Sequence, residues 1–480
     1  MKDKKKRQQT GDPVVIKPSD TLHRLWNLAI RYDFVILFIL VYFVYNTVTR
    51  IDWSGDVIPA VYLPIALIVR QTVYFDSLNI VSGLSPNLAY AFPLVNGHYV
   101  SLFPIVTPVL AVPVYFVSYL LYTVFQIPLD TVSIMILAKT FATIIAALSC
   151  VFVYLTVKEL FLKKTALVTV LIYAFATSTW SVSSQAPWQH GTVELLLILM
   201  IYVIIRNEQG PSRNNIIVLG LLTGLFLFNR PPDSVLLLPI IGYIVWYERH
   251  NLPVYAISAA VTGLPFLVYN LSVFGNVFGG YSQNLVKFSF GPDSIGNFFG
   301  LLVAPNVGLL VFSPVLILSV FGYLKLNSIP SERIRQVLSV FGPVIVLEIL
   351  VYSFFGGWDS SVAYSYGQRF LTGLVPVLAI FIGIIVNDVL CAEPEKPGTQ
   401  IVRTVIILLV ILSVIIQAIG VFLYPFYPDR STSPERTWDW NHSIIIESYG
   451  YGISHIDSFT MYSFPPLPAI FDYQFDPGEK

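Results

Sequence analysis

The feature that most constrains this chain is its succession of apolar runs of about 20 residues, the length a helix needs to cross a hydrocarbon core roughly 30 Å thick. They follow one another from Asp33 to Tyr424, divided by short polar breaks. No water-soluble fold can hide that much apolar surface. Hydrophobic residues make up 55% of the 480 positions and mean hydropathy is +0.71. Charged residues make up 12%, against about 25% in ordinary soluble domains. The chain therefore reads as an all-α polytopic membrane protein. Its formal net charge of zero gives no reason to expect a nucleic-acid partner. Cys150 and Cys391 fall in or beside predicted helices, so no disulfide framework is expected.

Lys2, Lys4, Lys5, Lys6, Arg7, Lys17, Arg24 and Arg31 all precede the first run. No small-residue cleavage site follows it, so it reads as an uncleaved anchor with the basic end in the cytoplasm. Residues 49–103 then lie outside. Later spans read as 131–157, 165–186, 192–206, 215–229, 234–247, 252–274, 307–326, 337–355, 370–390 and 404–424. The basic loops are Lys158/Lys163/Lys164, Arg206/Arg213, Arg249, Lys325/Arg333/Arg335 and Lys396/Arg403, each two spans from the next. Residues 104–125 are apolar but studded with Pro104, Pro108 and Pro113. We read them as a helix lying in or re-entering the outer leaflet, with a conventional crossing as the alternative. The expected layout is a cytoplasmic segment 1–32, a bundle 33–424 of about eleven crossings, and an outside tail 425–480 without helical period. The polar, irregular loops at 49–103, 180–191, 230–233, 275–306, 356–369 and 425–480 then share the outer face, where binding and chemistry are expected.

Five constellations lie there. Asp52-Trp53-Ser54-Gly55-Asp56 offers an acidic pair suited to general-base work or to a divalent metal; the competing role for Asp56 is to cap a helix. Tyr74-Phe75-Asp76 precedes Asn96-Gly97-His98-Tyr99, in which Asn-Gly marks a tight hairpin turn. Ala186-Pro187-Trp188-Gln189-His190-Gly191 leads to Glu194, whose spacing from His190 puts both on one helix face, able to hydrogen-bond a polar head group. Asn229-Arg230-Pro231-Pro232-Asp233 pairs an arginine with a carboxylate at a membrane edge. Gly356-Gly357-Trp358-Asp359 continues through Tyr364 to Tyr366-Gly367-Gln368-Arg369-Phe370, ending on a planar guanidinium that suits phosphate. Within spans, Lys139 and Glu348 are ionisable groups at a depth where an unpaired charge costs about 2.5–3.5 kcal/mol.

The ordered set resembles the GT-C superfamily of polyprenyl-phosphate-dependent glycosyltransferases, closest to its dolichyl-phosphate-mannose–protein mannosyltransferase and lipid A aminoarabinose transferase relatives. The matching order is a first span, a long outer loop opening on an acidic motif with in-plane helices, Lys139 near the start of a span, the Arg230-Pro231 turn, and Tyr366-Gly-X-Arg369. The resemblance implies a GT-C-like bundle and a catalytic carboxylate at Asp56. The family often has Asp-Glu there, whereas this chain has Asp56-Val57, so a second carboxylate has to come from Asp52 or elsewhere. The family's second acidic position is not plainly matched, and His190 or Glu194 would stand in for it. Trp358-Asp359 is similar to the start of the oligosaccharyltransferase WWDYG signature but departs after two residues, so an N-glycosylating role is set aside.

The expected function is transfer of a sugar from a polyprenyl-phosphate-linked donor to a lipid, glycan or protein acceptor. Asp56 acts as base with Asp52, Arg369, Arg230 and Lys139 meet the donor phosphate, and His190, Glu194, Tyr366 and His98 bind substrate. No cofactor is required beyond a divalent metal if the acidic pair binds one. The main rival is a transporter or flippase, which should show repeats and broken helices with polar groups at the bilayer midplane.

Overall fold

A computed structural model describes residues 32–48, 54–76, 89–125, 131–359, 365–393, 397–424 and 434–454. Where the sequence is apolar and free of interior polar breaks it forms helix, and where proline or glycine interrupts an apolar run the helix stops or changes pitch. Helix α1 (Asp33–Tyr45) is followed by α2 (Ile58–Ile65), which carries Pro59 in its first turn and unwinds into a π turn ending at Arg70. Gln71, at φ +51°, ends it. A two-residue hairpin, β1 (Leu94–Val95) with β2 (His98–Tyr99), turns through Asn96 and Gly97, both at positive φ as the Asn-Gly signal requires. The long helices follow: α3 (Val106–Phe125), α4 (Thr131–Leu160), α5 (Lys163–Phe175), α6 (Gln189–Gln209), α7 (Arg213–Asn229), α8 (Leu238–Tyr247) and α9 (Leu252–Phe274). Then come α10 (Ser294–Val303), α11 (Leu318–Leu324), α12 (Glu332–Ser353), α13 (Val375–Cys391), α14 (Pro397–Ala418) and α15 (Ile444–Ser454).

Among the described residues, seven helices are long and apolar enough to cross a membrane by length and composition. Helix α13 is the axis of the bundle: every residue from Val375 to Val386 is buried. Helix α14 shows the opposite pattern. Ile401, Val405, Leu408, Leu412 and Ile415 are exposed along one stripe, an apolar face that only lipid can solvate. Polar side chains bridge the helices where lipid offers no partner, as in Asn46 to Thr143 at 3.0 Å and Thr165 to Asn387 at 3.0 Å.

Ion pairs gather the basic loops onto one face. Asp33 receives Lys158 at 3.1 Å and Lys163 at 2.8 Å, Arg206 pairs with Glu159 at 3.1 Å, Arg333 with Glu208 at 3.6 Å and Lys325 with Asp388 at 2.7 Å. The opposite ends of the same helices carry the polar motifs. Helix α4 thus runs from the motif face, where Lys139 meets Ser184 and Gln185, to the basic face at Lys158.

That direction bears on α3. Its first turn is fixed at the motif face by Thr107, which bonds Thr192 at 2.9 Å and Asn229 at 2.7 Å. The chain from Phe125 to Thr131 reaches about 20 Å at most, too short to return from the far side of a 30 Å core. The end of α3 therefore lies within that reach of the start of α4. Its interior Pro113 does not break it, because its neighbours keep helical geometry around the missing hydrogen bond.

Three expectations change in detail. The expected span 307–326 is broken at Pro314 into a short helix, a 3-10 turn and α11. The span 165–186 is α5 followed by a π turn, Thr179–Ser183. The tail, expected to lack helix, contains α15. Its Gly450 and Gly452 weaken the helical pattern, while Ser443 Oγ accepts from Ile446 N at 3.4 Å in the manner of an N-cap.

Candidate functional site

Asp56 lies in the turn just before α2. It does not cap that helix: the cap position is Val57, without a side-chain bond. Its carboxylate points instead into a cavity, where Oδ1 accepts from the Tyr90 hydroxyl at 2.6 Å and Oδ2 from the Arg369 guanidinium at 2.8 Å. Two glycines make this meeting possible. A Cβ on Gly55 would stand 2.6 Å from the Tyr90 ring. Gly367 sits at φ +84°, and a Cβ there would lie 2.6 Å from Phe312.

Beyond Gly367 the loop is held from behind. Tyr366 donates to the Ile416 carbonyl at 2.8 Å and packs against Phe312 and Tyr424. Arg369 then emerges over two aromatic faces, with its guanidinium carbon 5.1 Å from the Trp188 ring and 5.0 Å from the Phe370 ring.

A second cation lines the same cavity. Arg230 links α7 to the 3-10 turn Pro231–Leu237. Its Nε donates to Asp233 Oδ1 at 2.9 Å, and its Nε and Nη2 donate to the Tyr352 hydroxyl at 3.0 and 2.7 Å. That hydroxyl donates in turn to Asp233 Oδ1. Burial pushes the Asp233 carboxyl above the usual range, with Arg230 pulling it back. Glu348, one helical turn before Tyr352, lies against Asp233. Phe370 is shared by both cations, with Arg230 5.6 Å from its ring and Tyr352 stacked on it at 5.4 Å.

The cavity between them has a volume of about 310 Å³. Asp56, Tyr90, His190, Arg230, Lys287 and Arg369 supply its charged and polar lining; Phe103, Trp188, Phe355 and Phe370 supply aromatic walls. Among the described residues no group of three or more His, Cys, Asp and Glu could hold a metal.

The other predicted residues fare differently. His190 lines the cavity, its ring 6.1 Å from Phe370 and its Nδ1 buried without a hydrogen-bond partner. Lys139 is not among the lining residues; it is buried against the Ser184 carbonyl and Gln185 Oε1, both at 2.8 Å. Glu194 points away from His190 into the bundle, where Tyr173, Thr179 and Ser183 donate to it. One helical turn separates the two, but the π turn Thr179–Ser183 folds its hydroxyls over Glu194 and screens it from the cavity. Tyr366 is part of the loop's buried backing. His98 is exposed on the hairpin, stacked on Tyr74 at 4.3 Å and paired with Asp76 at 2.8 Å. Asp52 and Tyr364 lie outside the described residues.

Sequence reasoning missed Tyr90, Tyr352 and Lys287 as site residues. Tyr90 lies in a stretch without a pattern of its own. Tyr352 looks like any interfacial aromatic until Arg230 is placed beside it. Trp188 and Phe370 stood inside quoted motifs and gained a role only with the cation beside each ring.

Fold and site define a polytopic helical membrane protein with a polar, cation-rich cavity at one end of its bundle. Residues 113–273 match the dolichyl-phosphate-mannose–protein mannosyltransferase family. The fold is similar to the crystal structure of ArnT from Cupriavidus metallidurans, at 13% identity and a TM-score of 0.51, over 84% of this chain and 69% of that one. It is also similar to the archaeal oligosaccharyltransferase AglB from Archaeoglobus fulgidus, at 12% identity and a TM-score of 0.49, over 93% of this chain and 62% of that one. No curated protein sequence matches it. The family match covers part of the chain, and the likeness to ArnT is one of fold.

Proposed function

We propose that this protein transfers a sugar from a polyprenyl-phosphate carrier to an acceptor hydroxyl or amine at the extracytoplasmic face of the membrane. The observation that carries the reading is the meeting of Asp56 and Arg369, from opposite ends of the chain, at 2.8 Å in one cavity that also holds Arg230. A lipid-borne phosphate needs cations near the membrane surface, and an acceptor needs a base beside them.

The acceptor's nucleophilic atom attacks the anomeric carbon and gives its proton to Asp56, a contribution typically worth 10²–10⁴-fold. The bond from the anomeric carbon to the phosphate oxygen breaks, and the electron pair leaves with the polyprenyl phosphate. Arg369 and Arg230 meet the charge that develops on it. Direct displacement inverts the anomeric centre. The basic face belongs in the cytoplasm by the positive-inside rule, which puts the N-terminus inside and the cavity outside.

The chemistry here requires only a nucleophile that fits beside Asp56. The test is incubation of the purified protein in lipid with a panel of radiolabelled polyprenyl-phosphate sugars and a membrane extract as acceptor. Transfer by the native protein and its loss in Asp56→Asn, with unchanged folding in membranes, is the expected result. Near-normal transfer by that variant removes Asp56 from the role.

A further inference from the structure

We propose that the Asp56–Arg369 ion pair is a resting-state lock which the donor phosphate opens by exchange, so that Asp56 Oδ2 becomes available as the base only after the donor has bound, with Tyr90 as the residue that keeps the freed carboxylate in place. This rests on the transfer reading above and adds an order of events to it.

Both oxygens of Asp56 are engaged in the structure. Oδ1 takes the Tyr90 hydroxyl at 2.6 Å, and Oδ2 takes the Arg369 guanidinium at 2.8 Å. While the guanidinium occupies Oδ2 through a charge-assisted bond, that oxygen is not open to an incoming acceptor. The guanidinium is also the group a phosphate monoester or diester competes for, since its fork fits either anion. One cation therefore serves the base at rest and the leaving group during reaction. It cannot hold both oxyanions equally without their repulsion.

The pair is built to exchange. Arg369 is 3% exposed and Asp56 is 23% exposed, so the carboxylate side of the pair faces the open cavity while the guanidinium stays on its aromatic bed of Trp188 and Phe370. The phosphate can reach Arg369 from that side without moving the arginine far. Tyr90 bonds the other oxygen and is not contested by the phosphate. Its ring is seated against Gly55, where no side chain displaces it. When Arg369 turns to the phosphate, Tyr90 still fixes the carboxylate plane and directs Oδ2 toward the incoming acceptor. An acceptor arriving first meets a base still bound to Arg369, so the donor's sugar is not exposed to an active base until its phosphate is anchored.

The experiment measures equilibrium binding of a sugar-free polyprenyl monophosphate to the full-length protein in lipid nanodiscs, and transfer kinetics with a donor that the protein uses. Asp56→Asn keeps an acceptor oxygen for Tyr90 and removes the competing charge. It should bind the lipid phosphate about tenfold more tightly than the native protein, the lower end of what close charge pairs couple by, while transferring no sugar. Asp56→Ala must tighten binding in the same direction, which guards against an effect peculiar to the amide. Tyr90→Phe should leave the donor KM within about twofold and lower kcat about tenfold, a split that a general loss of structure would not give. Equal or weaker lipid-phosphate binding by both Asp56 variants overturns the exchange while leaving the transferase reading intact. A Tyr90→Phe enzyme that loses donor affinity instead of kcat overturns the assignment of Tyr90. If the folded native protein binds no polyprenyl phosphate, the donor reading fails and the exchange fails with it.

Discussion

Tyr352→Phe removes one oxygen from the support of Arg230 and nothing else. That oxygen accepts from Arg230 Nε at 3.0 Å and Nη2 at 2.7 Å and donates to Asp233. Hydrogen bonds between helices in membranes average about 0.6 kcal/mol and reach about 1.7, and those to charged groups lie toward the higher end. Three such bonds on one hydroxyl cannot be summed independently, because Arg230 keeps its bond to Asp233 at 2.9 Å and its seat over Phe370. A loss of about 2 kcal/mol is the reasonable estimate, and spent wholly on the pose of Arg230 it corresponds to about a 30-fold fall in kcat/KM. The assay is initial-rate transfer from a lipid-linked donor in nanodiscs at several donor concentrations, with thermal unfolding followed in parallel. A variant within threefold of the native kcat/KM would refute the argument that this hydroxyl holds Arg230 where the donor needs it.

Two further substitutions separate site from scaffold. Gly367→Ala forces a side chain into a left-handed conformation that costs about 1–2 kcal/mol and against Phe312; donor binding should weaken about tenfold through a displaced Arg369, read by the same lipid-phosphate titration. Glu194→Gln should leave the donor KM and kcat within about threefold and lower the unfolding temperature, because its carboxylate serves Tyr173, Thr179 and Ser183 and not the cavity.

Much of the fold was legible because lipid imposes simple rules. Apolar runs gave helices, and alternation of the basic loops gave sidedness that the ion pairs of Asp33, Glu159, Glu208 and Asp388 now tie to one face. The apolar stretch 104–125 is helical from Val106 to Phe125, with Pro113 inside the helix. Of the site, the sequence placed Asp56, Arg230, His190 and Arg369 on one side but not together, since nothing local says that the turn after Gly367 reaches the turn before α2. It overvalued Lys139, Glu194 and Tyr366 for a related reason. A polar group at a helix end looks the same whether it faces a cavity or a neighbouring helix. Spacing put His190 and Glu194 on one face, whereas the π turn at Thr179–Ser183, which no residue pattern announces, covered Glu194 with hydroxyls. The helix α15 was hidden by two glycines, of which Gly452 lets the helix approach Leu423 closely.

The two arginines of the cavity are not equivalent, and the difference follows from burial. The Arg230–Asp233 pair is 4% and 0% exposed, with Tyr352 closing it on one side. Breaking so buried a pair by removing one partner costs about 3–5 kcal/mol, because the other charge is left behind without water. No phosphate can draw Arg230 away from Asp233 at that cost, so Arg230 acts as a fixed charge. Arg369 faces a carboxylate that is partly solvated, and its partner can be exchanged. Arg230→Gln should therefore act first on the fold, leaving Asp233 uncompensated beside Glu348 and lowering thermal stability in detergent well before donor affinity can be compared. Arg369→Gln should leave thermal stability nearly unchanged and reduce lipid-phosphate binding at least tenfold. If instead Arg230→Gln is as stable as the native protein and Arg369→Gln unfolds, the division into a fixed and an exchangeable cation is wrong.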